Sequence, residues 1–241
     1  MSATQERTGR SPRAGGSLWI TRFYGSALGK KYAMAITGIV WMAYVFVHMV
    51  GNLKLYQGPE EINLYADWLR QIAYPALPAQ GALWAFRVIL LVTLAIHIHA
   101  AFALWADNRR KRPAKYDSRD YVAVNFANRT MRWTGIIVGL FILFHIADLT
   151  FGALNPEFDH ADVYSNMVAS FSNPVISGIY ILANLALGLH LYHGAWSLFQ
   201  TMGWNNPRFN HWRRYFAITF AVVVTVGNLS FPIAVLTGVV S

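Results

Sequence analysis

Four histidines lie inside apolar runs of bilayer-spanning length, and they recur in a repeated order. TGIVWMAYVFVH ends at His48 and TGIIVGLFILFH ends at His145, each with Thr-Gly at the same distance before the histidine. The apolar run that follows each carries a second motif, LAIHIHAAFAL with His97 and LGLHLYHGAWSLFQ with His190. In both second motifs a small residue follows four positions after the histidine, Ala101 in one and Gly194 in the other. One two-helix unit is therefore written twice, with a histidine in each of four spans. An ionisable side chain in hydrocarbon is costly, so each of these histidines is a functional candidate.

The chain has 241 residues, 55% of them hydrophobic and 13% charged. Soluble domains carry about 25% charged residues, and here the apolar residues come in blocks. The expected class is an all-α integral membrane protein of one polytopic domain. There is no cysteine, which excludes a disulfide framework, thiolate metal ligation and covalent c-type haem attachment. The net charge of +9 reads as a topology signal rather than as a nucleic-acid footprint, and no nucleic-acid partner is expected.

Met1 to Ser17 is polar and Arg-rich and lacks the apolar core of a signal peptide. Residues 1–21 are expected to form a mobile cytoplasmic arm. Five spans follow, each near the roughly 20 residues a membrane helix needs: Tyr32–Val50, Gly81–Ala106, Thr130–Phe151, Pro174–Gln200 and Tyr215–Val240, the last kinked at Pro232. Short surface helices are expected over Asn63–Tyr74 and Ala161–Phe171. Lys and Arg fix the orientation. Arg7, Arg10, Arg13, Arg22, Lys30 and Lys31 precede the first span. Arg109–Arg112, Lys115, Arg119, Arg129 and Arg132 join the second to the third, and Arg208, Arg213 and Arg214 join the fourth to the fifth. The other side has only Lys54, Arg70 and Arg87. The amino terminus is expected in the cytoplasm and the carboxyl terminus outside.

At roughly 1.5 Å per residue, His48 and His145 fall late in outward-running helices. His97 and His190 each precede a polar residue, Asp107 or Gln200, by ten positions. This gives two facing pairs at two depths: His48 with His145 in the outer half, His97 with His190 nearer the inside. Imidazole binds haem iron well, and a pair filling both axial positions leaves single-electron transfer as the chemistry. Gly51, Ala100, Ala101, Gly188 and Gly194 are candidates for making room for a flat ring. Alternatives stay open at the doubled motifs. His99 points away from His97 and is either a hydrogen-bonding or quinone-side residue or the ligand itself. His193 lies one turn beyond His190 and is either a ligand or a contact to a propionate or quinone. His160 and His211 are expected in solvated loops, and Trp19, Tyr24, Trp105, Trp204, Trp212 and Tyr215 in an interfacial belt.

GSALGKKYAMAITGIVWMAYVFVHMVGN, HIHAAFALWADNRRKRP, RWTGIIVGLFILFH and HLYHGAWSLFQTMGW resemble the di-haem, five-helix cytochrome b anchor of succinate:quinone oxidoreductases (respiratory complex II) and fumarate reductases. The resemblance covers about residues 22–240. It implies a five-helix transmembrane cytochrome b domain over 22–241, with two haems b ligated by His48 and His145 and by His97 and His190. It also implies a quinone, most often menaquinone, with a flavoprotein subunit and an iron–sulfur subunit as partners. A bacterial inner (cytoplasmic) membrane is the implied location. No flavin, dinucleotide or iron–sulfur motif occurs in this chain, so it holds no catalytic residue for succinate. The expected function is that of a membrane anchor and electron-transfer subunit of succinate dehydrogenase. The alternatives are a cytochrome b subunit of hydrogenase or formate dehydrogenase type, and a haem-free transporter or proton channel. For the quinone, Ser26 and Lys30 stand one helical turn apart at the inner end of the first span and could serve a carbonyl and its developing charge.

Overall fold

The computed structural model describes residues 19–110, 122–204, 206–208 and 210–241, with side chains in the helix that begins at Val122 from Thr130 onward. Of the expected arm over residues 1–21, residues 1–18 lie outside the described residues, as do Lys111, Arg112, Lys115, Arg119 and the Arg129 side chain. The helices are α1 (Trp19–Gly25), α2 (Ala27–Asn52), α3 (Pro59–Gln71), α4 (Gly81–Arg110), α5 (Val122–Leu149), α6 (Val163–Ser172), α7 (Pro174–Thr201) and α8 (Asn210–Leu236), with a 3-10 turn over Leu53–Gln57. No strand occurs among the described residues. Five stretches are long and apolar enough to cross a membrane: Ala27–Gln57, Gly81–Arg110, Thr130–Leu149, Pro174–Thr201 and Asn210–Leu236. The chain is a multi-pass membrane protein. Its lipid-facing surface is apolar, with Leu140, Leu143 and Leu182 64%, 67% and 69% exposed.

Local chemistry sets the helix ends. Ser26 caps α2 by accepting from the Gly29 amide at 2.9 Å. Pro59 starts α3, and Glu60 and Glu61 sit in its first turn, where the helix dipole favours negative charge. Asn173 caps α7 through the Val175 and Ile176 amides, with Pro174 at the first helical position. Beyond α7, Gly203 takes φ +75°, the left-handed conformation that ends many helices and suits glycine.

Several boundaries differ from those expected from sequence, among them a first span that begins at Ala27, a surface helix over Pro59–Gln71 and a third spanning helix that begins at Val122. α1 runs across residue 21, so the expected arm ends in a helix. The second span continues to Arg110, making a helix of 30 residues, about 45 Å long, whose charged end stands clear of a hydrocarbon core of about 30 Å. α8 begins at Asn210, so His211 lies in a helix rather than a loop, exposed beside Trp212 and Tyr215. The backbone stays helical past the apolar segment because intrahelical hydrogen bonding does not require apolar side chains.

α2 packs against α4, and α5 against α7, so each repeat unit forms its own hairpin. α8 lies along α7 and also touches α2. Ala195 and Ala217, both fully buried, line the α7–α8 seam, where small side chains let membrane helices approach closely. One end of the bundle is capped by α3, α6 and the 3-10 turn over an apolar cluster that includes Met49, Leu55, Ile62, Met167, Phe171, Tyr180 and Phe231. The opposite end carries Lys30, Arg109, Arg110, Arg132, Arg213 and Arg214.

Asp162 joins the two capping helices. It accepts from the Ser165 amide at 3.0 Å and hydroxyl at 2.6 Å, and from Asn63 on α3 at 3.0 Å. The Ser165 donors, first of all its hydroxyl, hold the Asp162 carboxyl below its ordinary pKa. A carboxylate with a lowered folded-state pKa contributes stability above its unfolded pKa and loses it as pH falls through the folded value. Asp162→Ala should destabilise α6 by about 1 kcal/mol, the usual cost of a lost N-cap. Faster amide exchange in α6 and α3, with the α7 amides unchanged, is the expected result.

Candidate functional site: two histidine pairs between the helices

The helices bring four histidines together two by two. The His48 and His145 rings, from α2 and α5, have centroids 5.8 Å apart with planes at 82°. The His97 and His190 rings, from α4 and α7, are 6.4 Å apart at 67°. The first pair lies toward the capped end and the second toward the Arg-rich end. Among the described residues no three His, Cys, Asp or Glu side chains cluster to hold a bare ion. Metal sites built from protein alone usually need three or four ligands, so a pair suits a metal whose other ligands come from a macrocycle. Imidazole–metal bonds of about 2.0–2.1 Å, taking zinc as guide, put two axial rings roughly 6 Å apart, close to both separations.

The surroundings fix which ring nitrogen is free. Thr37 Oγ1 donates to the Ala33 carbonyl at 2.7 Å and lies 3.1 Å from His97 Nδ1. Thr134 Oγ1 donates to the Thr130 carbonyl at 2.7 Å and lies 3.5 Å from His190 Nδ1. Each hydroxyl proton is already committed to a carbonyl, so Nδ1 carries the ring proton. Nε2 is then the nitrogen with a free lone pair, the state a ligand needs. His145 has the same polarity: its Nδ1 lies 3.3 Å from Tyr180 Oη, which donates to Asp148 at 2.8 Å. His48 differs. Its ring stacks on Tyr44 at 5.4 Å, and its Nε2 accepts from Asn52 Nδ2 at 3.3 Å, a contact that a metal would replace.

Of the glycines nominated from sequence, Gly194 faces open space, and Gly51 and Gly188 face other side chains. A Cβ on Gly51 would meet Tyr65, and one on Gly188 would meet Thr225 on α8. Gly38 and Gly135 face the histidines instead: a Cβ there would stand 3.6 Å from His97 Cε1 and 3.2 Å from His190 Cε1. The Thr-Gly motif that precedes His48 and His145 in sequence thus seats the histidine of the neighbouring helix. The threonine holds Nδ1 and the glycine leaves room for the ring.

The second histidine of each doubled motif stays outside the pairs. His99 is exposed and its Nδ1 lies 2.6 Å from the hydroxyl of Tyr24 on α1, so Tyr24 has a specific partner besides its interfacial position. His193 Nε2 lies 3.1 Å from Thr130 Oγ1. Ser26 and Lys30 are both engaged. The Ser26 hydroxyl donates to the Phe23 carbonyl at 2.6 Å as well as capping α2, and Lys30 Nζ pairs with Asp107 at 2.6 Å. Arg213 is buried over Trp196, with Nε and Nη1 lacking a partner among the described residues. Those two N–H donors suit an anionic carboxylate.

Sequence reading passed over Asp148 and Tyr180. Asp148 is fully buried and Tyr180 is 4% exposed. Asp148 lies late in an apolar run, three residues after His145, which puts it one turn away on the same face.

No curated protein and no solved structure gives a significant match to the chain. Residues 126–229 match a family model described as succinate dehydrogenase/fumarate reductase transmembrane subunit. The matched stretch holds His145 and His190, the Thr134-Gly135 motif, Asp148 and Tyr180, and over it the chain is similar to the succinate dehydrogenase/fumarate reductase transmembrane subunit family.

Proposed function

We propose that this subunit anchors a succinate dehydrogenase in the bacterial inner membrane and passes electrons from an iron–sulfur subunit through two haems b to a membrane quinone, menaquinone by resemblance. The observation that carries this reading is the two imidazole pairs at two depths, three of whose four rings present Nε2 as the free nitrogen. A haem held by two imidazoles has no open coordination position and exchanges single electrons. His97 and His190 would hold the one nearer the Arg-rich, cytoplasmic end, and His48 and His145 the one nearer the capped end. Arg213 would meet a propionate. The flavoprotein subunit supplies succinate chemistry, for which this chain has no residues.

The test is purification of the intact complex with a pyridine haemochrome assay. Two low-spin haems b per chain, together with a co-purifying flavoprotein, are expected. One haem or none overturns the di-haem reading. Haem with a hydrogenase or formate dehydrogenase partner supports the other cytochrome b class, and a haem-free chain supports a transporter or proton channel.

The proposed quinone site lies at the Arg-rich end and uses Ser26 and Lys30, with His99 or His193 nearby. For Ser26 the geometry also favours a purely structural reading, since a quinone carbonyl would compete with the α2 cap and the Phe23 carbonyl. Lys30→Ala in fully haem-loaded complex should lower quinone reduction by roughly tenfold, the loss of one charge-assisted hydrogen bond. Unchanged turnover and quinone affinity in both Lys30→Ala and Ser26→Ala would place the site elsewhere, beside His48 and His145.

A further inference from the structure

We infer that Asp148 is a charge-setting and positioning residue for the His48–His145 site, acting through Tyr180 on His145. This rests on the di-haem reading and adds what tunes one of its two sites. Asp148 is fully buried in a membrane helix, where an ionisable side chain is costly unless it has a role. Both of its oxygens accept O–H donors: Oδ1 from Ser170 at 2.7 Å and Oδ2 from Tyr180 at 2.8 Å. Both carboxyl oxygens are thereby engaged as acceptors. With its O–H donated in a hydrogen bond to Asp148, Tyr180 turns its oxygen lone pairs to His145 Nδ1 at 3.3 Å. Ser170, Asp148, Tyr180 and His145 form one chain drawn from α6, α5 and α7.

Tyr180 cannot swing away easily. Its ring meets Phe171, Phe141 and Phe144 edge-to-face at centroid distances of 4.9, 5.0 and 5.9 Å. Among the described residues the pair at the Arg-rich end has no equivalent. His97 and His190 meet threonine hydroxyls whose protons go to backbone carbonyls, so their partners carry no charge. A carboxylate behind a ligating histidine strengthens the ring as an electron donor and favours the more positive oxidation state of the metal. The two sites therefore receive different electrostatics from otherwise similar histidine pairs, and the difference resides in Asp148.

The test uses the purified whole complex and potentiometric titration of its haems, with the site assigned as the haem missing from His145→Ala. Asp148→Asn keeps size and removes the charge. Tyr180→Phe keeps the aromatic packing and removes the link. Each should raise the midpoint potential of the His48–His145 haem alone. The expected size is about a tenfold rise in its reduced-to-oxidised ratio at a fixed potential, which is ~59 mV for a one-electron couple. The double variant should shift no further than the larger single one, because both break one chain. Tyr180→Phe decides the question if Asp148→Asn fails to assemble. Unchanged potentials in a Tyr180→Phe complex with both haems, or a shift confined to the other haem, would overturn this inference alone. A wild-type complex without haem at His48–His145 would overturn the di-haem reading and this inference with it.

Discussion

His190→Ala is expected to remove one of the two proposed haems, while His193→Ala keeps both. The two residues are one turn apart on α7, so position in the bilayer barely separates them; their partners do. His190 faces His97 across 6.4 Å, with its Nδ1 against Thr134 and Gly135 beneath its ring. His193 has its Nε2 against the Thr130 hydroxyl, the nitrogen a ligand would need free. The same division applies on α4. His97→Ala should lose the same haem, whereas His99→Ala should retain both and slow quinone turnover, since His99 bonds Tyr24 rather than a histidine. Haem content and the low-spin haem signal of each purified variant decide it. A haem bleached by His99→Ala and kept by His97→Ala would reverse the assignment.

Gly135→Leu is expected to abolish the haem at the Arg-rich end, with Gly38→Ala close to silent. A Cβ at Gly135 would stand 3.2 Å from His190 Cε1, already tight, and a branched side chain there would occupy the ring's own space. Overpacking a filled site costs about 1–3 kcal/mol even where neighbours can yield. Here the neighbour is a ring held at Nδ1, so the expected result is displacement of His190 rather than local adjustment. At Gly38 the added Cβ would lie 3.6 Å from His97 Cε1, an ordinary contact. Haem content should therefore fall from two to one per chain in Gly135→Leu and stay at two in Gly38→Ala, with the Gly135→Leu chain still assembled in the membrane. Full haem content in Gly135→Leu would mean that this glycine does not seat the ring.

The five spans, the two surface helices and the doubled histidine motif could be read from sequence because the bilayer imposes a length and a polarity on each segment. Depth along a helix also follows from residue count, so the partnership of His48 with His145 and of His97 with His190 could be anticipated, and the fold sets those rings 5.8 and 6.4 Å apart. What a residue faces across a helix gap does not follow from its own helix. Thr37-Gly38 and Thr134-Gly135 were visible as a repeat, but their use depends on α4 and α7 packing beside them. Gly51 and Gly188 seemed as suitable by composition, and tertiary packing gave them Tyr65 and Thr225 instead. Asp148 and Tyr180 are 32 residues apart in the chain and 2.8 Å apart in space. Periodicity and hydropathy describe one helix at a time, so only the meeting of α5, α6 and α7 shows Asp148 buried and linked to a histidine through Tyr180.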